Sequence, residues 1–449
     1  MAPTHLRRFL ASTALAASVA APAHGADLLR LLDAARLHDP ALRAAQAGYR
    51  AALARVPQAR SALLPQVQAT ASVSANTQRN SENPLLQRFG FATDWDYSAR
   101  DVSLTATQAL YQPAARIATL QADNAARIAY VRLQQQDQSV MLQLAAAYFE
   151  RVAAQDALDS LLTQQHATRR QLASAQRNFA AGNGTALDTR DAQARADLLE
   201  AQIIAARNRV ALADSALQDL TGLAPGPVAP LQSGLRPPVP DGTLDHWIRA
   251  AERQAPAVQQ ARLALDNARL QARIADTGHG PTVDAYARLD RASTSGGSNL
   301  FPFGTRAEVA SIGVQARWPL YTGHRVESQQ DEAAALLEQA QANLDGATLA
   351  ASHAARDALL TLRSDVARLD ALHAAVASAN ASVDANRLGW TVGMRVNLDV
   401  LNAQAQAFDI QRQADQARDA VLLDGLRLRF AAGDLGSRDL AEIDALLRR

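Results

Sequence analysis

Two periodicities alternate along this chain. From Asp27 to about Leu64 apolar positions recur at helical spacing, with Leu28, Leu31, Leu32 and Ala35 on one face. Asp39-Pro40 interrupts the pattern. Proline suits the first turn of a helix and breaks an interior, so one helix is expected to end near His38 and a longer one to begin at Pro40. Pro65 then stops the helical period. From Gln66 to Asn76 the odd positions are Val67, Ala69, Ala71, Val73 and Ala75, while the even positions are polar. Such alternation over about ten residues marks a strand with one apolar face, long enough to cross a bilayer. It returns from Asp101 to Tyr111, with Val102, Leu104, Ala106 and Leu110 on one face. The polar stretch Thr77 to Arg100 reads as the loop between two paired strands.

The unit is then written again. Asp39-Pro40-Ala41-Leu42 matches Ala255-Pro256-Ala257-Val258, and Leu64-Pro65-Gln66-Val67 matches Gly280-Pro281-Thr282-Val283, both at an offset of 216. Strands are expected at about 282–290 and 308–321, with a Ser/Gly/Pro-rich loop between them. Leu110-Tyr111-Gln112-Pro113 and Leu320-Tyr321-Thr322-Gly323 each open a very long helical tract. The first, Gln112 to Phe179, has 68 residues; a helix of that length reaches roughly 100 Å. Each tract meets a glycine and turns back. Gly182 matches Gly393, Asp188 matches Asp399 and Gln193 matches Gln404, at an offset of 211, and an aromatic (Phe179, Trp390) stands three residues before each glycine. Glycine can turn a chain where other residues clash, and an acidic residue soon afterwards favours the next helix start. Tips of helical hairpins are therefore expected at 180–187 and 391–398.

Composition and charge narrow the class. Arg7 and Arg8, an apolar run from Phe9 to about Ala21 and the small residues Ala21, Ala23 and Gly25 have the three parts of a secretory signal peptide at 1–25. The rest divides into a first repeat at 26–222, a Pro-rich link at 223–240, a second repeat at 241–433 and a terminal segment at 434–449 with a short helix from Asp439 to Leu447. Aromatics are only 4% and alanine supplies much of the apolar fraction, which favours long, closely packed helices over a thick core. The formal charge is +1 with basic residues dispersed, which argues against nucleic acid as a partner. With no cysteine there is no disulfide or thiolate metal site. No Gly-x-Ser-x-Gly, His-Glu-x-x-His or phosphate loop occurs, so an enzyme is not expected, nor any cofactor or metal.

Both strand hairpins begin and end in helices, so all helices lie on one side of whatever the strands cross. Four strands cannot close a barrel, and lipid tolerates no open sheet edge, so several copies must assemble. The pattern alone leaves two, three or more copies open. The alternative is an exported periplasmic coiled-coil scaffold or adaptor without a channel, against which the four alternating strands argue.

The start at Asp39-Pro40-Ala41-Leu42, Leu64-Pro65 before the first strand, Leu110-Tyr111-Gln112-Pro113, Ala147-Tyr148-Phe149 and the two Gly…Asp tips together resemble the TolC family of outer-membrane channel proteins. That resemblance implies a mainly α fold with a membrane portion: a homotrimer whose twelve-stranded β-barrel, four strands per chain, continues as a long α-helical barrel ending in coiled-coil hairpins. It implies an exit duct in the outer membrane of a Gram-negative bacterium. An inner-membrane ABC or proton-driven transporter and a periplasmic adaptor would feed it, for type I protein secretion or small-molecule efflux. It also implies roles for particular residues. Asp399 and Asn402 would face the narrow entrance, where the family pattern usually has two aspartates. Asp188, Trp390 and Arg395 would tie the inner hairpin to the outer one, with tryptophan in place of the usual tyrosine. Thr185 to Asp188 also fits a helix-capping box. The tips Gly182, Asn183, Gly184 and Thr185, and Gly393, Met394 and Val396, would form the adaptor-docking surface.

Overall fold

The computed structural model describes residues 28–79, 88, 94–182, 184–224, 226, 228–232, 235–296 and 304–447. The expected signal peptide, much of the first strand-to-strand loop and Asn183 lie outside the described residues. Two short helices, α1 (Leu28–His38) and α2 (Pro40–Ser61), divide at Asp39, whose side chain accepts the Leu42 N–H at 2.5 Å and so caps α2. The chain continues as β1 (Gln66–Arg79), β2 (Asp94–Tyr111), α3 (Pro113–Ala180) and α4 (Ala186–Thr221). The second half has α5 (Leu244–Gln254), α6 (Pro256–Asp276), β3 (Thr282–Gly296), β4 (Arg306–Arg317), α7 (Arg325–Thr391) and α8 (Asn397–Ala432). A short α9 (Ser437–Asp444) follows.

Three strands outrun their expected limits and one falls short. β1, β2 and β3 extend to Arg79, back to Asp94 and to Gly296, because pairing between backbones continues after the apolar alternation has stopped. β4 ends at Arg317 rather than 321: Pro319 has no N–H to give to a ladder, although Trp318 and Leu320 prolong the alternation in sequence.

The strands form one antiparallel sheet in the order β1-β2-β3-β4, so the hairpins of the two repeats pair through β2 and β3. Register puts like with like. Ala69, Leu104, Leu289 and Ala310 lie side by side across the sheet, as do Val67, Ala106, Ala287 and Ile312. The other face carries rows such as Gln68, Thr105, Arg288 and Ser311. Val67, Val73, Leu104, Leu289, Ile312 and Val314 are exposed, so the sheet presents an apolar face that nothing among the described residues covers. The Arg291–Glu308 ion pair, 3.2 Å, lies on this face in the row of Ala71 and Val102.

The helical part packs at its waist. Leu28, Leu31 and Leu32 of α1, Val140, Leu144 and Tyr148 of α3, Leu422 and Leu426 of α8, and Leu440 and Ile443 of α9 form one core. The Pro-rich link joins it: the Tyr148 hydroxyl donates to the Ala229 carbonyl at 2.8 Å, and Leu231 bridges to Leu447. The Leu28 N–H donates to Asp444 Oδ1 at 2.9 Å, and Arg36 grips both Asp137 oxygens at 2.7 Å. Charge-assisted bidentate geometry of that kind fixes angle as well as distance. Away from this waist, α3 with α4 and α7 with α8 run on as two antiparallel hairpins that touch through α3 and α8.

Candidate functional site

The candidate site is the free end of the two hairpins. At the first tip, Ala181 and Gly182 donate to the Arg177 and Phe179 carbonyls, both at 3.0 Å, and Gly182 takes a φ of +78°. That left-handed value favours glycine. The chain re-enters helix through a full capping box: Thr185 Oγ1 accepts the Asp188 N–H at 3.1 Å, and Asp188 Oδ2 accepts the Thr185 N–H at 3.3 Å. The Thr185 hydroxyl also donates to Asp188 Oδ2 at 2.6 Å. Asp188 is thereby engaged within its own hairpin.

The second tip is built on the same plan with one part missing. Gly393 has a φ of +79°, and the Gly389 carbonyl accepts from the Met394 and Arg395 N–H groups at 2.8 and 3.1 Å. Gly389 is also a close-approach position, since a Cβ there would stand 2.7 Å from Arg395 Cγ. The Arg395 side chain thus lies across the last turn of α7. Asp399 Oδ2 accepts the Val396 N–H at 3.4 Å, but valine has no side-chain oxygen to return the bond, so this cap is one-sided.

Arg395 Nη1 stands 3.8 Å from Asp399 Oδ2, and both side chains are partly exposed. Its ion pair within the chain therefore joins two residues of the second hairpin rather than reaching Asp188. Trp390 is half-buried, and its carbonyl accepts the Gly393 N–H at 3.1 Å. Met394, Val396, Val392, Leu388 and Leu398 at the second tip, and Phe179 and Leu187 at the first, are exposed apolar side chains.

Among the described residues near the tips, two hydrogen bonds cross between the hairpins. Asn402 Oδ1 accepts from Arg195 Nη2 of α4 at 3.2 Å, and Asn397 Oδ1 accepts from the Gln171 amide of α3. Asn397 is only 3% exposed; Gln171 satisfies its Oδ1, while its amide nitrogen has no hydrogen-bond partner. Sequence reasoning singled out Asn402 but not Arg195, Gln171 or Asn397. No local signal could have found them, because which side chains meet depends on how two long helices are rotated against each other.

Between α3, α4 and α8 runs a cleft lined by Phe149, Leu199, Phe408 and Leu423, with Arg195, Arg209 and Arg412 at its polar edges. Asp409 on its wall is held below the usual carboxylate range by hydrogen bonding to Arg412. Among the described residues no group of His, Cys, Asp and Glu could hold a metal ion, and no helix is long and apolar enough to cross a membrane.

Comparison with known proteins follows the same outline. A family described as outer membrane efflux protein matches residues 31–223 and 247–434, one stretch in each half. The outer membrane protein TolC of Escherichia coli is 30% identical over 439 residues, covering 94% of this chain and 85% of that protein. The proteases secretion protein PrtF of Dickeya chrysanthemi is 29% identical over 430 residues, covering 94% of this chain and 91% of that protein. Among solved structures, the CmeC outer membrane channel of Campylobacter jejuni superimposes with a TM-score of 0.77 at 16% identity, covering 94% of this chain and 90% of that one. VceC of Vibrio cholerae does so at 0.71 and 21% identity, covering 90% of this chain and 96% of that one.

Proposed function

Because the chain belongs to the family of outer membrane efflux proteins and is an outer-membrane efflux or secretion duct, we propose that it works as the passive exit of a tripartite export system. An inner-membrane ABC or proton-driven transporter supplies the energy, a periplasmic adaptor contacts the tips, and the hairpins part to open the entrance. The observation that carries this reading is the continuity of a four-stranded sheet, apolar on one face and open at both edges, with helical hairpins whose first helices, α3 and α7, have 68 and 67 residues. An open edge leaves backbone groups unpaired, which hydrocarbon does not tolerate. Three copies would close the edges into twelve strands, with a polar interior and an apolar exterior.

At the entrance a threefold axis would bring three Asp399 carboxylates together. Like carboxylates in a constriction attract cations. Asn402 adds no charge, and its acceptor is already committed to Arg195. Two contacts would hold the hairpins together near the tips: Arg195 with Asn402 and Gln171 with Asn397. Arg395 and Trp390 would reach a neighbouring copy, with Asp188 as the acidic partner there. The exposed apolar side chains around Gly182 and Gly393 suit the adaptor as its docking surface. PrtF and the alkaline protease secretion protein AprF of Pseudomonas aeruginosa, 29% identical, favour an exported protein as cargo, with small-molecule efflux as the second reading.

The test is export itself. A strain lacking the gene should retain its secreted proteases in the cell and regain secretion with the intact gene. Unaltered secretion together with new sensitivity to small toxic compounds would favour the efflux reading; no change in either would count against the duct.

A further inference from the structure

The seam where α3 meets α8 holds a charge cluster well away from the tips. Arg418 of α8, 8% exposed, has Nη2 at 2.9 Å from Asp419 Oδ1 and 3.5 Å from Asp156 Oδ2 of α3, and Nη1 at 3.5 Å from Asp415 Oδ1. One guanidinium thus faces three carboxylates, an excess of two negative charges if all are ionised. Asp419 is 5% exposed, and its Oδ2 has no hydrogen-bond partner. The other elements around it offer no rescue. From α3 come Asp156, with Asp159 a turn further along; Asp419 lines the cleft together with Arg195 and Arg209 of α4 and Asp409 and Arg412 of α8, none of which hydrogen-bonds its Oδ2. On the α7 side, α8 packs through Ala417 and Val421 against Leu359, Leu362 and Leu369.

Burial pushes the Asp419 carboxyl up to about 7, with Asp156 and Asp415 adding to it against the pull of Arg418. Burial raises Asp156 as well. An ionised, unpaired carboxylate oxygen in such a place is costly, and the cost is relieved by water.

We propose that Asp419 is a proton-operated wedge in the α3–α8 seam: protonated, it lets the two hairpins pack closely, and ionised, it draws water between them and favours their separation. The direction follows from linkage. The closed seam holds a proton that an open, hydrated Asp419 would release at its ordinary value of 3.8. Closed packing is therefore fully favoured below that value, loses ground as pH rises, and stops changing above about 7. The cluster lies on the contact between the hairpin carrying Asp399 and the hairpin carrying Asp188. A change in the seam therefore reaches the tips through two continuous helices.

The chain has no cysteine, so spin labels can be placed on Thr163→Cys of α3 and Gln406→Cys of α8, both exposed positions, without removing native thiols. The label-to-label distance, read by pulsed electron resonance on the assembled protein, should widen as pH is raised from about 4 and level off above about 7. Asp419→Asn should hold the short distance at every pH, and Asp156→Asn, which removes a like charge and leaves Asp419 in place, should make the levelling occur at lower pH. A distance that ignores pH in the unsubstituted labelled protein, or a response that survives Asp419→Asn, would overturn the proposal. Its consequence for transport rests on the gated-duct reading, but the distance does not. Failure of the gate would appear as conductance indifferent to Arg395→Ala while the distances still moved.

Discussion

Asp399 carries two duties at one carboxylate. It accepts the Val396 N–H at the start of α8 and stands 3.8 Å from Arg395. Capping and charge can be separated by substitution. Asn caps nearly as well as Asp but bears no charge, so Asp399→Asn should leave the thermal midpoint almost unchanged while lowering the cation preference of the open duct, measured as reversal potential in a salt gradient. An unchanged reversal potential would confine Asp399 to capping. Asn402→Asp adds a second carboxylate beside Arg195 and should raise that preference. Asp188 is the counterpart where local chemistry already uses the side chain: its capping box was legible in Thr185-Ala186-Leu187-Asp188, whereas nothing local could say that Arg395 would turn toward Asp399.

The two tips compare one element with its own repeat. Thr185 makes a reciprocal cap and Val396 makes half of one. Val396→Thr should complete the second cap and add about 1 kcal/mol of local stability, seen as slower amide exchange in the first turn of α8; faster or equal exchange would deny the difference between the tips. The strands offer a second test. Leu104 lies at the centre of the apolar face between Ala69 and Leu289, so Leu104→Arg should cost about 2–4 kcal/mol if that face meets lipid, measured by folding into vesicles. Thr105→Arg on the opposite face should cost far less.

How much was legible follows from the same elements. Alternation from Gln66 to Asn76 revealed a strand and its apolar face because its period is set by the backbone itself. It misjudged strand ends because pairing outlasts patterning at Asp94 to Arg100, and because Trp318 and Leu320 alternate across a proline that cannot pair. Helices were readable almost to their caps, since Pro113, Gly182, Gly222 and Gly433 punctuate them. Contacts between hairpins were not. Gln171 with Asn397, Arg195 with Asn402 and the Arg418 cluster depend on the mutual rotation of helices far longer than any local window.

For the whole molecule, the unpaired edges of β1 and β4 and the exposed apolar sheet face make a single chain an incomplete object. Native mass spectrometry of detergent-purified protein should give three times the chain mass. A stable monomer soluble without detergent would return the exported scaffold to consideration. The central claim is a duct closed by its own tips, and single-channel current in a planar bilayer tests it most directly. The unsubstituted protein should show small cation-selective steps, and Arg395→Ala, which removes the tip cation proposed to reach Asp188 of a neighbouring copy, should show larger or more frequent openings. Folded trimer that passes no current, or current identical in the two proteins, would contradict it.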